Sequence, residues 1–160
     1  MQSQGGMLGS GGSGVGGIGA MGGSGGMGGG SQQPAGLSFD SGGVQSDVAA
    51  TATLDDGAAA IVEINGMAPG RFLISIVKTA APFTTGDYTC TDAVTISYFT
   101  QGTQYMARQE KGECLVKVTS FAGAGKPIAG TFSAKLVNAA GEGKLLKDGT
   151  FRVSVEAKAR

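Results

Sequence analysis

The chain has 160 residues, 31 of them glycine, with no histidine, no tryptophan, two cysteines and a formal net charge of zero. Without histidine neither a Ser-His-Asp nor a Cys-His catalytic arrangement can form within it. Zero net charge removes any bulk pull toward nucleic acid or an anionic membrane, and no apolar run reaches the ~18 residues of a membrane-spanning helix. The expectation is a protein that is not an enzyme, takes no cofactor, and has no nucleic-acid partner and no membrane span.

Sixteen of the glycines lie in residues 1–30, where no aromatic and no charged residue occurs. From Val15 a larger residue recurs at every third position, Val15, Ile18, Met21, Ser24 and Met27, with Gly-Gly or Gly-Ala between. Three is the period of the polyproline-II helix, which rises ~3.1 Å per residue and makes no internal hydrogen bonds. Glycine at two positions of three lets such backbones approach closely enough to bond to one another. The competing reading is a flexible Gly/Ser tether, but tethers seldom space Met, Ile and Val regularly. Residues 1–36 are therefore read as a glycine-rich arm, extended and polyproline-II-like or disordered. Val15, Ile18, Met21 and Met27 are read as its assembly contacts with other copies of the chain. Ordering costs ~1–2 kcal/mol per residue, so this arm cannot order itself alone. Its methionines are greasy contacts rather than soft-metal ligands, and its Gly-x-Gly spacings are no phosphate loop, since no strand precedes them and no Gly-Lys-Ser follows. Met1 leads into Gln-Ser-Gln-Gly-Gly without a basic or an apolar signal region, so a secreted form is expected to have lost its signal peptide.

Residues 37–160, roughly 120 in number, are enough for one small all-β domain. Ser31–Ala50 reads as a linker running into an edge strand around Leu37–Phe39. Ala59–Asn65 alternates, with Ala60, Val62 and Ile64 on one face, and Asn65-Gly66 is expected to turn the chain. Gly70–Thr79 sets Phe72, Ile74 and Ile76 against Leu73, Ser75 and Val77, apolar enough for both faces to be covered. A longer connection, 80–91, precedes strands at Ala93–Thr100, Thr103–Gln109 and Glu113–Phe121, the last with Cys114, Val116 and Val118 inward. Ile128, Phe132, Ala134 and Leu136 share one face of the next run, and Phe151, Val153 and Val155 one face of the last. Asp148-Gly149 is read as the turn before it. No segment has a 3.6-residue period. The fold class is all-β: an antiparallel sandwich or partly open barrel of about seven or eight strands.

Cys90 and Cys114 each sit beside a predicted strand, the usual position of a staple in a small secreted β-domain, and are read as a disulfide rather than as buried thiols or zinc ligands. Asp55-Asp56-Gly57 reads as a turn in preference to a calcium loop. Tyr88, Tyr98, Phe99 and Tyr105 read as core or cross-strand partners in preference to a ligand cleft. Residues 40–92 carry seven acids against two bases and residues 93–160 ten bases against five acids. Interspersion in the folded sheet is the simpler expectation for this split, and a functional dipole the other.

Cys114–Val155 holds Ile-Ala-Gly-Thr-Phe-Ser-Ala-Lys-Leu at 128–136 and Asp-Gly-Thr-Phe-Arg-Val at 148–153. This resembles the end of a family of secreted bacterial β-domains, many of them lipoproteins, written I-x-G-T-F-[ST]-[AGF]-x-L, a polar loop, then [ND]-G-x-F-x-V. The resemblance covers about forty residues and implies an extracytoplasmic sandwich or partial barrel with no catalytic residues. No lipidated cysteine stands near the start of this chain. The functional expectation is a structural, self-assembling subunit, extracellular or at the cell surface, whose arm packs on neighbouring copies in a filament or matrix. The alternative is a secreted or surface-anchored binding module with the arm as tether.

Overall fold

The computed structural model describes residues 35–67, 70–91 and 93–159, all within one compact unit of residues 33–160. Eleven strands follow in order: β1 (Gly36–Ser41), β2 (Val44–Val48), β3 (Ala50–Asp56), β4 (Ala60–Gly66), β5 (Arg71–Lys78), β6 (Gly86–Thr89), β7 (Val94–Thr100), β8 (Thr103–Ala107), β9 (Glu113–Phe121), β10 (Pro127–Val137) and β11 (Gly143–Ala157). Among the described residues there is no helix. The all-β expectation holds, but the strands number eleven rather than seven or eight.

The extra strands lie where small and polar residues suggest linker. Within the expected linker of Ser31–Ala50, the described residues 35–50 are not a linker with an edge strand: β1 and β2 form a hairpin there, and β1 sits inside the sheet between β2 and β11. The turn is Gly42-Gly43, both at positive φ (67° and 84°), the pair of left-handed residues that matches a two-residue hairpin to strand twist. The Gly43 N–H donates to Asp40 Oδ1 at 3.0 Å. β3 buries Ala52 and Leu54 from a segment whose other positions are mostly Thr and Asp. β6 lies inside the expected 80–91 connection, held against β9. Asn65-Gly66 does not turn the chain but ends β4, where Gly66 is buried against Val48, Leu37 and Phe72.

All ladders are antiparallel except one. β10 carries β11 on one edge and β9 on the other, and its end touches β8 through Val137–Met106. β11 carries β10 on one edge; on the other it carries β1 along Leu146–Arg152 and then β3, in parallel, along Val155–Ala157. The resulting mixed sheet runs β2-β1-β11-β3-β4-β5-β7-β8-β10-β9-β6 and closes on itself through the β10–β11 ladder. Its two halves face one another: Phe39 of β1 packs on Phe72 of β5 (5.0 Å between ring centroids) and Tyr98 of β7 (5.5 Å), and Phe132 of β10 lies 5.4 Å from Phe72. Aromatic rings at such separations add about 0.5–1.5 kcal/mol per pair beyond their burial.

Asp148-Gly149 is not a turn either. β11 is continuous through it, and the register against β10 passes from Phe132↔Gly149 to Ala134↔Leu146. The register against β1 shifts at the same place, so β11 holds one extra residue relative to both neighbours. This is a β-bulge, with Asp148 at φ 50°, a conformation that Asp tolerates better than most residues. The extra residue changes side-chain parity, which lets Leu146 before it and Phe151 after it both point inward; both are buried.

Around the bulge, each phenylalanine of the ribbon faces a glycine: Phe132 is paired with Gly149, and Phe151 with Gly130. A Cβ at Gly149 would stand 2.7 Å from the Phe132 ring, and one at Gly130 would stand 2.6 Å from the Phe151 ring while meeting the Lys117 carbonyl oxygen. The space that each glycine leaves is filled by the opposing ring. Phe132→Ala and Phe151→Ala are each expected to cost about 3–5 kcal/mol, and Gly130→Ala at least about 1–3 kcal/mol through overpacking against backbone. Urea unfolding measures all three; a Gly130→Ala variant as stable as the parent would contradict the packing described.

Candidate functional site

Cys90 and Cys114 form a disulfide, with Cα atoms 5.2 Å apart. The cause is local: β6 and β9 pair as far as Thr89↔Leu115, and the Cys90 N–H then donates to the Cys114 carbonyl at 3.3 Å. The bond therefore ties a four-residue edge strand to the body of the sheet. Phe83, in the connection before β6, is buried there, stacked on Tyr88 at 5.4 Å and edge-on to Phe121 at 5.0 Å. The arm contacts Val15, Ile18, Met21 and Met27 lie outside the described residues.

The four aromatic residues weighed as a cleft are dispersed. Tyr98 is buried between Phe39 and Phe72. The Tyr88 hydroxyl donates to the Thr84 carbonyl at 2.6 Å, and Tyr105 lies beneath Lys144 Nζ, 5.2 Å from its ring centroid. Phe99 alone turns outward, 45% exposed. Asp55 and Asp56 end β3 at the turn into β4, and among the described residues no group of three His, Cys, Asp or Glu gathers as metal ligands do.

The Asn-Ala-Ala-Gly stretch at 138–141 turns the chain between β10 and β11 as its composition implies, but the side-chain clasp it builds there was not legible. Asn138, the buried polar residue among those described, donates from Nδ2 to Glu142 Oε2 at 2.6 Å and accepts the Glu142 N–H on Oδ1 at 2.8 Å. Its own N–H donates to the Glu142 carbonyl at 3.0 Å. The turn itself was signalled by Asn-x-x-Gly, in which Asn binds nearby backbone and Gly141 takes the positive φ of 86°.

The features described next are surfaces. The sheet ends at β2 on one side and β6 on the other, and β2 pairs only with β1 among the described strands. A broad depression of about 670 Å³ lies on the outward side of β4, β5, β7 and β8, lined by Asn65, Met67, Arg71, Leu73, Ser97 and Phe99 among others. The outward residues of β5, which looked apolar enough to be covered, are half-buried by their neighbours at Leu73, Ser75 and Val77. No family model, no curated protein and no solved structure matches the chain.

The disulfide and the clasp each yield a stability expectation. Closing a loop of about 25 residues contributes about 3.5 kcal/mol in the chain-entropy model, so Cys90→Ala/Cys114→Ala is expected to lower unfolding stability by about that amount. Asn138→Ala strips a partner from two donors or acceptors and is expected to cost about 1–3 kcal/mol. Denaturant titration of each variant against the parent checks both values, and native mass spectrometry of an unreduced digest checks the Cys90–Cys114 link.

Proposed function

We propose that this chain is a structural, self-assembling extracellular subunit, a disulfide-stapled β-domain whose glycine-rich arm packs on neighbouring copies to build a filament or matrix. The observation that carries the reading is the meeting of a need and a supply. An extended Gly-Gly-x arm satisfies none of its own backbone groups, while β2 ends the sheet among the described strands, and a strand edge offers N–H and C=O groups that added backbone can use. The regular Val15, Ile18, Met21 and Met27 supply apolar cover along such a contact. The Cys90–Cys114 disulfide suits an oxidising compartment outside the cytosol, and the likeness of residues 114–155 to secreted bacterial β-domains fits a bacterial surface. Among the described residues no helix is long and apolar enough to cross a membrane.

Negative-stain microscopy tests the assembly directly. The full chain is expected to form filaments or sheets, and a chain lacking residues 1–30 to remain folded and dispersed. Dispersed particles from the full chain would favour instead a binding module tethered by its arm, and unimpaired assembly of the truncated chain would remove the arm from the mechanism.

A further inference from the structure

The stretch between β5 and β7 is an excursion from a hairpin. β5 and β7 pair directly, from Arg71↔Phe99 to Ile76↔Val94, and the Val77 N–H then donates to the Ala93 carbonyl at 2.8 Å. The hairpin is thus closed without the residues in between. Residues 79–91 leave it, cross to β9 and lay β6 along the edge of that strand, where β6 ends the sheet. Among the described strands β6 pairs with β9 alone, so no other ladder depends on its being there.

Little besides the disulfide holds this excursion down. Of residues 79–87, eight are exposed, and Phe83 is the buried one. Lys78 Nζ donates to the Pro82 carbonyl at 3.1 Å and to Thr84 Oγ1 at 2.9 Å. Those bonds, with that of the Tyr88 hydroxyl to Thr84, tie the segment to itself and to the end of β5. On β9 it is held by four ladder positions, by the Cys90 N–H on the Cys114 carbonyl, by Phe83 edge-on to Phe121, and by the Cys90–Cys114 bond. Ordering a residue costs more than one solvent-exposed hydrogen bond contributes. A segment with a single fully buried ring and exposed backbone bonds therefore belongs to the low-stability end of the fold. The covalent bond is its strongest restraint.

We propose that this bond is a redox latch on the edge of the sheet. Closed, it keeps the four-residue β6 over β9; opened by a dithiol reductant, it lets residues 79–91 leave while the rest of the domain stays folded. Cys90 is buried and Cys114 only partly so, which makes the Cys114 sulfur the one attacked. The reductant's thiolate forms a mixed disulfide with Cys114 and displaces Cys90 as a thiolate, which takes up a proton. The reductant's second thiolate then displaces Cys114, which is protonated in turn. Two electrons and two protons pass to the protein, leaving two thiols on it and a disulfide on the reductant. β9 then ends the sheet with nine residues in place of four, still paired to β10 from Glu113 to Phe121 on its other side. A long free edge is the kind to which further backbone adds, so the latch governs which edge the sheet presents. It works within one chain, whether or not the chain assembles.

Hydrogen exchange read by mass spectrometry on the full chain tests the latch, comparing the oxidised protein with the same protein in about 10 mM dithiothreitol. On reduction the amides of residues 86–90 are expected to exchange at least ~10-fold faster. β9 should lose only part of its protection, because the bonds of a central antiparallel strand go alternately to its two neighbours. β10 and β11 should be unchanged. Cys90→Ser/Cys114→Ser should show the same pattern without reductant. Unchanged exchange at 86–90 in the reduced protein overturns the inference, since Phe83 and the ladder would then suffice to hold β6. Protection lost from β10 and β11 together with β6, or a Cys90→Ser/Cys114→Ser chain that does not fold, also overturns it, for the bond would then staple the whole domain. So does a bond that dithiothreitol leaves intact while the chain is folded.

Discussion

The structure depends on two reciprocal contacts between β10 and β11, in which Phe132 lies across from Gly149 and Phe151 across from Gly130. Each ring needs the volume that a Cβ on the opposing strand would take, and each glycine needs a ring to cover its bare backbone. An aromatic ring buries 150–250 Å², so these positions are the ribbon's main source of register. A one-residue slip would turn both rings outward and set Cβ atoms where the rings now lie. The rest of the sheet hangs on the same ribbon: β11 carries β1 and β3, and β10 carries β9 and touches β8. Fixing one register therefore fixes how both halves of the sheet meet.

The bulge at Asp148-Gly149 makes this compatible with a closed core. β11 has fifteen residues and passes from β1 to β3 along one edge. Leu146 in its first part and Phe151, Val153 and Val155 in its second are all buried, which strict two-residue alternation cannot provide. The inserted residue resets the parity, and bulges bend and twist the strand that bears them.

Topology also disposes of the charge split along the chain. The acid-rich first half and base-rich second half do not form opposed poles, because β11 is inserted between β1 and β3, and β9 pairs with β6. Asp40 consequently sits across the ladder from Lys147, and Asp87 from Lys117. What remains distinctive is local: the edge strand β2 and the stapled edge strand β6.

Much of the architecture was legible along the chain. Period-two alternation in Ala60–Ile64, Phe72–Ile76 and Ile128–Leu136 gave both strand and facing, because a strand with one buried face must alternate. The cysteine pair pointed to a staple because both residues stood beside strands. The triplet spacing of Val15, Ile18, Met21 and Met27 is a property of the sequence alone, since these residues lie outside the described ones. Gly42-Gly43, Asn65-Gly66 and Asp148-Gly149 could not be told apart in this way: one is a hairpin turn, one a strand end and one a bulge. Glycine announces that a side chain is absent but not why, and the reason is supplied by what packs against it. By itself, the sequence determined an all-β class, a stapled domain and a glycine-rich arm, for these follow from local period and composition. Tertiary structure alone decided that β1 lies inside the sheet, that β11 bridges its two halves, and that β6 pairs with β9, because each depends on partners distant in the chain.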